Sequence, residues 1–314
     1  MRIAITGGAG FIGANLARRM TEDDRFDQVV VVDDLSSGRK ENLDGLDVDL
    51  HIASILEPEA LDAAFAGVDG IVHLGARPSV PRSIEDPLAS HHANATGTVE
   101  VLEAARRVGR PHVIVASSSS VYGANPTLPK SENLRTQPLS PYAVSKLATE
   151  SYALAYAHCY ELPVLAFRFF NVYGPLQAAG HAYAAAIPAF IDAAMRGQPI
   201  PIQGDGGQSR DFTYVGSVAS AITEALVRHI TSDDPVNLAF GTRRTILEAV
   251  AELESVMGVE LARDHGPPRP GDVRHSQADG SRLAELLPDV PPFEFRVGLE
   301  ATVEWFRTLE EYDV

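Results

Sequence analysis

The sequence predicts an α/β fold, a doubly wound parallel sheet with a second, smaller α/β lobe, and three observations carry that expectation. The chain opens R-I-A-I-T-G-G-A-G-F-I-G, a short apolar strand running into Gly7, Gly10 and Gly13 and then a helix over about 14–20. Strand-like runs recur near 2–6, 28–33, 70–74, 112–117 and 163–168, with helical patterns between them. That alternation is the rhythm of βαβ units. Finally, S-P-Y-A-V-S-K at 140–146 places Tyr142 and Lys146 four residues apart at a helix start, with Ser140 as N-cap and Pro141 at the first helical position.

Taken in order, the glycines are a dinucleotide fingerprint in its proper setting. Gly7 makes the tight turn, Gly10 lets the backbone approach a pyrophosphate, and Gly13 allows close packing of helix on strand. The helix N-terminus then faces the anion. The second strand, Q-V-V-V-V, ends at Asp33, twenty residues past Gly13. A carboxylate there binds the adenosine ribose hydroxyls and repels a 2′-phosphate, which favours NAD over NADP.

The fourth run, V-I-V-A-S-S-S-S-V-Y-G at 113–123, ends in four serines at the carboxyl end of a strand, where open α/β sheets bind ligands. A free phenol ionises near about 10, and an ammonium and a nicotinamide cation close to Tyr142 would favour its phenolate. Such a tyrosine can take a proton from a sugar hydroxyl.

Composition fits a soluble intracellular enzyme. A single Cys159 excludes an internal disulfide framework and a cysteine zinc cluster, and 314 residues at 45% apolar content can bury a substantial core. No run approaches the roughly 18 apolar residues of a membrane span, and the N-terminus reads as a strand rather than a signal peptide, so a cytoplasmic location is expected. The net charge of −16 disfavours nucleic acid and anionic membranes. It also requires local arginines or helix N-termini wherever an anionic substrate binds.

The chain resembles the extended short-chain dehydrogenase/reductases and, among them, the nucleotide-sugar 4-epimerases. The likeness spans nearly all of it: T-G-G-A-G-F-I-G, D-D-L-S-S-G, H-L-G-A-R-P-S-V, S-S-S-S-V-Y-G, S-P-Y-A-V-S-K, R-F-F-N-V-Y-G-P, G-Q-S-R-D-F-T-Y-V and R-P-G-D-V-R-H-S-Q-A-D. The last two look most like UDP-N-acetylglucosamine 4-epimerases. The resemblance implies a Rossmann-type NAD domain over 1–174 and 211–241, and a UDP-sugar-binding lobe over 175–210 and 242–314. It implies a catalytic set of Ser118, Tyr142 and Lys146. NAD contacts would come from Gly7, Gly10, Phe11, Ile12, Gly13, Asp33, Ser37, Gly38, Ser54, Ile55, Leu74, Ala76, Arg77, Asn94 and Phe169, together with Tyr142 and Lys146. Substrate contacts would come from Ser119, Ser120, Asn171, Ala185, Ala186, Arg210, Arg269, Asp272 and Ser276, with Arg210 and Arg269 on the diphosphate and Asp272 on the uridine ribose. Helices near 90–108 and 142–160 correspond to those that make a four-helix homodimer interface in relatives. No metal site is expected.

The implied reaction is redox-neutral. Tyr142 removes the C4 hydroxyl proton while NAD takes hydride, the 4-keto sugar swings about its phosphate linkage, and hydride returns to the other face. Two departures stand out. Ser54 replaces the family aspartate that meets the adenine amino group, and Ala178 stands where some uronate-specific relatives carry arginine. A UDP-glucuronic acid epimerase, a dehydratase or decarboxylase, a net dehydrogenase and a non-catalytic NAD sensor are the rival readings. Dehydratases and decarboxylases typically carry an acid where this chain has only Ser118, Ser119 and Ser120, and a sensor would be expected to lose Tyr142 or Lys146. Arg106, Arg107, Arg243 and Arg244 read as solvated surface, His73 as structural, His91 and His92 as helix surface, and Cys159 as buried in a helix.

Overall fold

A computed structural model describes residues 1–179, 185–267, 273–290 and 292–309. Its strands are β1 (Arg2–Thr6), β2 (Gln28–Asp33), β3 (Val48–Ile52), β4 (Gly70–His73), β5 (His112–Ser118), β6 (Val164–Phe169), β7 (Val172–Tyr173), β8 (Ile200–Gln203), β9 (Ser209–Asp211), β10 (Thr213–Tyr214), β11 (Val236–Leu238), β12 (Arg243–Thr245) and β13 (Arg263–Gly266). The helices are α1 (Phe11–Thr21), α2 (Pro58–Phe65), α3 (Val80–Glu85), α4 (Pro87–His91), α5 (Gly97–Arg107), α6 (Pro141–Tyr160), α7 (Ala186–Met195), α8 (Val215–Val227), α9 (Ile246–Met257), α10 (Ser281–Leu286) and α11 (Phe295–Arg307).

Seven parallel strands make the central sheet, in the order β11-β6-β5-β4-β1-β2-β3. The strands read as continuous apolar runs because both faces are covered. One face packs Ile3, Leu16, Val29, Ile114 and Phe167 against α1 and α8, and the other packs Val30, Phe65, Leu102, Val113 and Ala153 against α2, α5 and α6. The strand order reverses between β1 and β4, which is where such sheets bind ligands. A separate apolar cluster of Tyr173, Ile187, Phe190, Ile202, Phe212, Leu253, Phe295 and Phe306 underlies α7, α9 and α11.

The five strands expected from sequence lie where expected. Two more complete the sheet: β3, whose half-exposed V-D-L-H-I gives no continuous apolar signal, and β11, three residues long, recognisable only from its pairing with β6. The helix expected near 90–108 is interrupted, with α4 passing through a single π-helical turn, His92–Thr96, before α5. Cys159 lies in α6 as expected but is exposed rather than buried, in a last turn where His158 and Tyr160 are exposed too. Among the described residues, no helix is long and apolar enough to cross a membrane.

Candidate active site

The β1–α1 turn fits a dinucleotide on steric grounds. A Cβ on Gly7, at φ +69°, would lie 2.7 Å from the Gly75 nitrogen, and one on Gly13 would lie 2.3 Å from the Gly7 carbonyl oxygen. Gly10 is the N-cap of α1, with no side-chain cap and no acid in the first turn, so the amides of Phe11, Ile12 and Gly13 are left for an anion. Asp33, 7% exposed, accepts the amides of Ala9 at 3.0 Å and Leu35 at 2.9 Å, and burial pushes its carboxyl above the usual range. A side chain at Gly38 would come within 2.9 Å of that carboxylate, and the neighbouring Ser37 is exposed.

Ser54 begins the next wall. Its hydroxyl accepts the Leu56 amide at 3.2 Å, and its own N–H donates to the Glu57 carboxylate at 3.0 Å, so a carboxylate stands at the same turn three residues later. Ile55 packs against Gly75 and Gly97, and Leu74 is held by the Thr6 carbonyl at 3.1 Å. Ala76 and Arg77 follow on the same loop, half-buried, and Phe169 ends β6 beside Ser118. Asn94 is 1% exposed and its amide is engaged by protein: Oδ1 accepts the Arg77 N–H at 2.7 Å, while Nδ2 donates to the Arg77 carbonyl at 3.2 Å and to Ser145 at 2.9 Å. The π-helical turn aims it there, and sequence spacing gives no hint of that turn.

Ser118, the last residue of β5, accepts the N–H and hydroxyl of Ser120 at 3.2 and 3.0 Å and lies near enough to the Tyr142 phenol to pull its pKa down. Ser119 opens the short turn that follows. Ser140 caps α6 by accepting the Ala143 N–H at 3.1 Å, as the sequence predicts, and Pro141 occupies the first turn. Burial raises the Tyr142 phenol, and Ser118 works against that rise. Lys146 is 6% exposed, burial pushes it down to about 8, and its ammonium donates to the Ala116 carbonyl at 2.8 Å.

Further along the chain, Arg210 on β9 donates to the carbonyls of Ser209 at 2.8 Å and Arg274 at 3.3 Å. The Ser276 N–H bonds the Ser209 carbonyl at 3.0 Å, and Asn171 Nδ2 reaches the Asp211 carbonyl at 3.5 Å, so Arg210, Ser276 and Asn171 converge on one strand. Buried Asp211 ties Ala278 to that strand at 3.0 Å. Ala185 and Ala186 start α7, and Arg269 and Asp272 lie outside the described residues. Arg244 is not solvated surface: it stands opposite Arg210 in the ladder and is half-buried with its guanidinium 5.0 Å from the centre of the Phe295 ring. Arg243, Arg106 and Arg107 are exposed, as are His91 and His92.

His73 is fully enclosed, with Nδ1 2.8 Å from Thr6 Oγ1 and Nε2 3.1 Å from Thr98 Oγ1, and burial lowers it to about 3. Sequence reasoning missed Ser83, whose hydroxyl accepts the Tyr142 N–H, and the buried Glu150–Arg168 pair. The one available signal was that Tyr142, Lys146 and Glu150 share a helix face at successive spacings of four.

A glycine turn at the sheet's switch point, an acid closing β2 and a Tyr–Lys pair beside a strand-end serine define an NAD-dependent α/β enzyme. The model described as the NAD dependent epimerase/dehydratase family matches residues 3–239, and the chain belongs to that family, with NAD as its cofactor. It is 36% identical to the UDP-glucose 4-epimerase of Mycolicibacterium smegmatis over 98% of this chain and 99% of that one. It is 33% identical to a probable UDP-glucuronate 4-epimerase of Rhizobium meliloti, over 98% and 97%. Among solved structures, the UDP-N-acetylglucosamine 4-epimerase of Methanobrevibacter ruminantium, in complex with UDP-N-acetylmuramic acid, superposes with a TM-score of 0.92 at 34% identity, covering 98% of each chain. The Thermus thermophilus UDP-glucose 4-epimerase complex with NAD does so at 0.88 and 31%, covering 98% of this chain and 99% of that one.

Proposed function

We propose that this enzyme is a UDP-sugar 4-epimerase that interconverts UDP-N-acetylglucosamine and UDP-N-acetylgalactosamine, with UDP-glucose and UDP-galactose as further substrates. The observation that carries the choice of sugar is Ser276, a small side chain on the segment hydrogen-bonded to the strand of Arg210. A small residue there leaves room for an N-acetyl group beside a diphosphate held by arginine, a charge-assisted and bidentate interaction that offsets the chain's negative charge locally. The likeness to an N-acetylhexosamine epimerase points the same way. Ala178 offers a uronate carboxylate no cation, which argues against the UDP-glucuronic acid reading.

In this reading Tyr142 takes the proton from the C4 hydroxyl and Ser118 holds the same oxygen. Bound NAD supplies the hydride acceptor and donor at C4. Lys146 places a cation beneath the site, and Arg210, Asn171, Arg269 and Asp272 anchor the nucleotide while the hexose turns between Ser119, Ser120, Ala185 and Ala186. Residues 1–174 with 211–241 serve the cofactor, and 175–210 with 242–314 serve the sugar nucleotide. We further assign the enzyme to the cytoplasm as a homodimer joined through α5 and α6; the exposed Val144, Tyr152 and Tyr160 on α6 support that face.

The test is incubation of purified protein with a panel of UDP-sugars and no added NAD. Conversion between the two acetylated sugars is the expected result. Steady NADH accumulation, or epimerisation confined to UDP-glucuronic acid, would replace this reading with a dehydrogenase or a uronate epimerase.

A further inference from the structure

We propose that Glu150 and Ser117 are positioning residues that hold the end of β5, and with it Ser118, against the helix that carries Tyr142. Glu150 is 3% exposed and lies one turn beyond Lys146 on the helix face that carries Tyr142. Arg168 grips it with two bonds, Nη2 to Oε1 at 2.7 Å and Nε to Oε2 at 3.0 Å. The Ser117 hydroxyl donates to the same Oε2 at 2.7 Å. Ser117 and Arg168 are direct partners in the β5–β6 ladder, so the three side chains close a triangle across two strands and the helix.

A buried ion pair is weak evidence of stabilisation, since apolar residues of similar volume often do as well. What apolar residues would not supply is direction. Oε2 takes donors from both strands, which fixes the Ser117 rotamer and the register of the strand end, and Ser118 is the next residue. The far side of Arg168 is held as well. Its guanidinium lies 4.8 Å from the centre of the Tyr122 ring, and the Tyr122 hydroxyl donates to Asn237 at 2.7 Å. A misplacement of about 1 Å at a reacting group can cost about 100-fold in rate, so a modest slip of Ser118 is enough to matter.

Ser117→Ala tests this with little risk to the fold, because it deletes one hydroxyl and leaves the ion pair whole. Bound NAD and the KM for UDP-N-acetylglucosamine should stay near wild type, with the thermal transition only modestly lowered by the lost buried bond, while kcat falls about tenfold or more. The Tyr142 phenolate midpoint, read by ultraviolet difference absorbance against Tyr142→Phe, should move upward, because Ser118 is what works against its rise. Ser117→Thr, which keeps the hydroxyl, should restore both. An alanine variant with wild-type kcat and midpoint overturns the proposal, and so does a threonine variant as impaired as alanine. The proposal rests on Tyr142 as the base, and the titration separates the two readings because it needs no substrate. A wild-type enzyme inert towards UDP-sugars would sink the proposed function, while the midpoint still decides the role of Ser117.

Discussion

The Ser83 hydroxyl on α3 accepts the backbone N–H of Tyr142 at 3.0 Å, so the first turn of α6 is capped from a neighbouring helix as well as by its own Ser140. Ser83 also donates to the Val80 carbonyl at 2.7 Å and is fully buried, which leaves it one geometry. Ser83→Ala leaves the part-buried N–H of Tyr142 without that acceptor, and should lower unfolding free energy by about 1–2 kcal/mol in urea titrations at pH 7. Ser140→Ala, an ordinary N-cap loss, should cost about 1 kcal/mol. A Ser83→Ala midpoint equal to wild type would show that water replaces the hydroxyl there.

Tyr142→Phe should leave NAD and UDP-sugar binding largely intact and lower turnover by at least about 100-fold, the usual share of a general base. Burial raises the phenol, so its base form grows as pH rises. Wild-type kcat should therefore climb from acid towards neutral and alkaline pH, and that climb should vanish in the phenylalanine variant. A variant with near wild-type turnover removes Tyr142 from the mechanism.

Asp33 sets the cofactor. Its carboxylate is fixed by the amides of Ala9 and Leu35 at the end of β2, in a partly dry site where a 2′-phosphate would meet like charge at close range. Calorimetry on protein stripped of nucleotide should give much tighter binding of NAD than of NADP. Equal affinities would contradict the assignment.

The parts of the site built from local chemistry were legible in the sequence: Gly7, Gly10 and Gly13 at a strand-to-helix turn, Asp33 at a strand end, and the Ser140–Pro141 helix start. Ser83 and Arg168 were not, because each reaches α6 from a distant part of the chain; Tyr142 and Ser83 are separated by 59 positions. The surroundings of Lys146 were beyond the sequence for a related reason. Spacing places it on the face of Tyr142, but only the fold puts the Ala116 carbonyl within 2.8 Å of its ammonium. Burial likewise decided Arg244 and Cys159 against composition, turning one inward onto Phe295 and leaving the other outside.

Two enclosed histidines should make the protein acid-sensitive. Burial lowers His73 to about 3 and His112 to about 4 from an unfolded value of 6.5, and the His112 ring lies 4.7 Å from that of His229. The unfolded chain therefore binds protons that the folded one refuses, so their contribution is intact above about 6.5 and falls as pH drops towards 4. Each should approach a cost of about 1.4 kcal/mol per pH unit once pH is well below 6.5, or roughly 3 kcal/mol for the pair between 6.5 and 5. Urea midpoints at pH 7 and pH 5 measure it, and His112→Phe should flatten the slope by about one proton. A variant with the wild-type slope would exclude His112 as a source.

Ser276→Tyr tests the gate for the sugar. The Ser276 N–H is bonded to the Ser209 carbonyl, and the next residue but one, Ala278, is tied to buried Asp211, so this wall is anchored at two points and has little freedom to retreat. A tyrosine should then fill the space required by an N-acetyl group, and overpacking against such a wall typically costs about 1–3 kcal/mol. At about 1.4 kcal/mol per decade, epimerisation of the acetylated sugars should fall roughly tenfold or more, while activity on UDP-glucose, which carries only a hydroxyl at C2, survives. The comparison is kcat/KM for UDP-N-acetylglucosamine and UDP-glucose in both proteins. If the wild type ignores acetylated sugars, or the tyrosine variant handles them undiminished, Ser276 does not set the size limit. The substrate would then have to be sought at the start of α7, where Ala185 and Ala186 begin the helix.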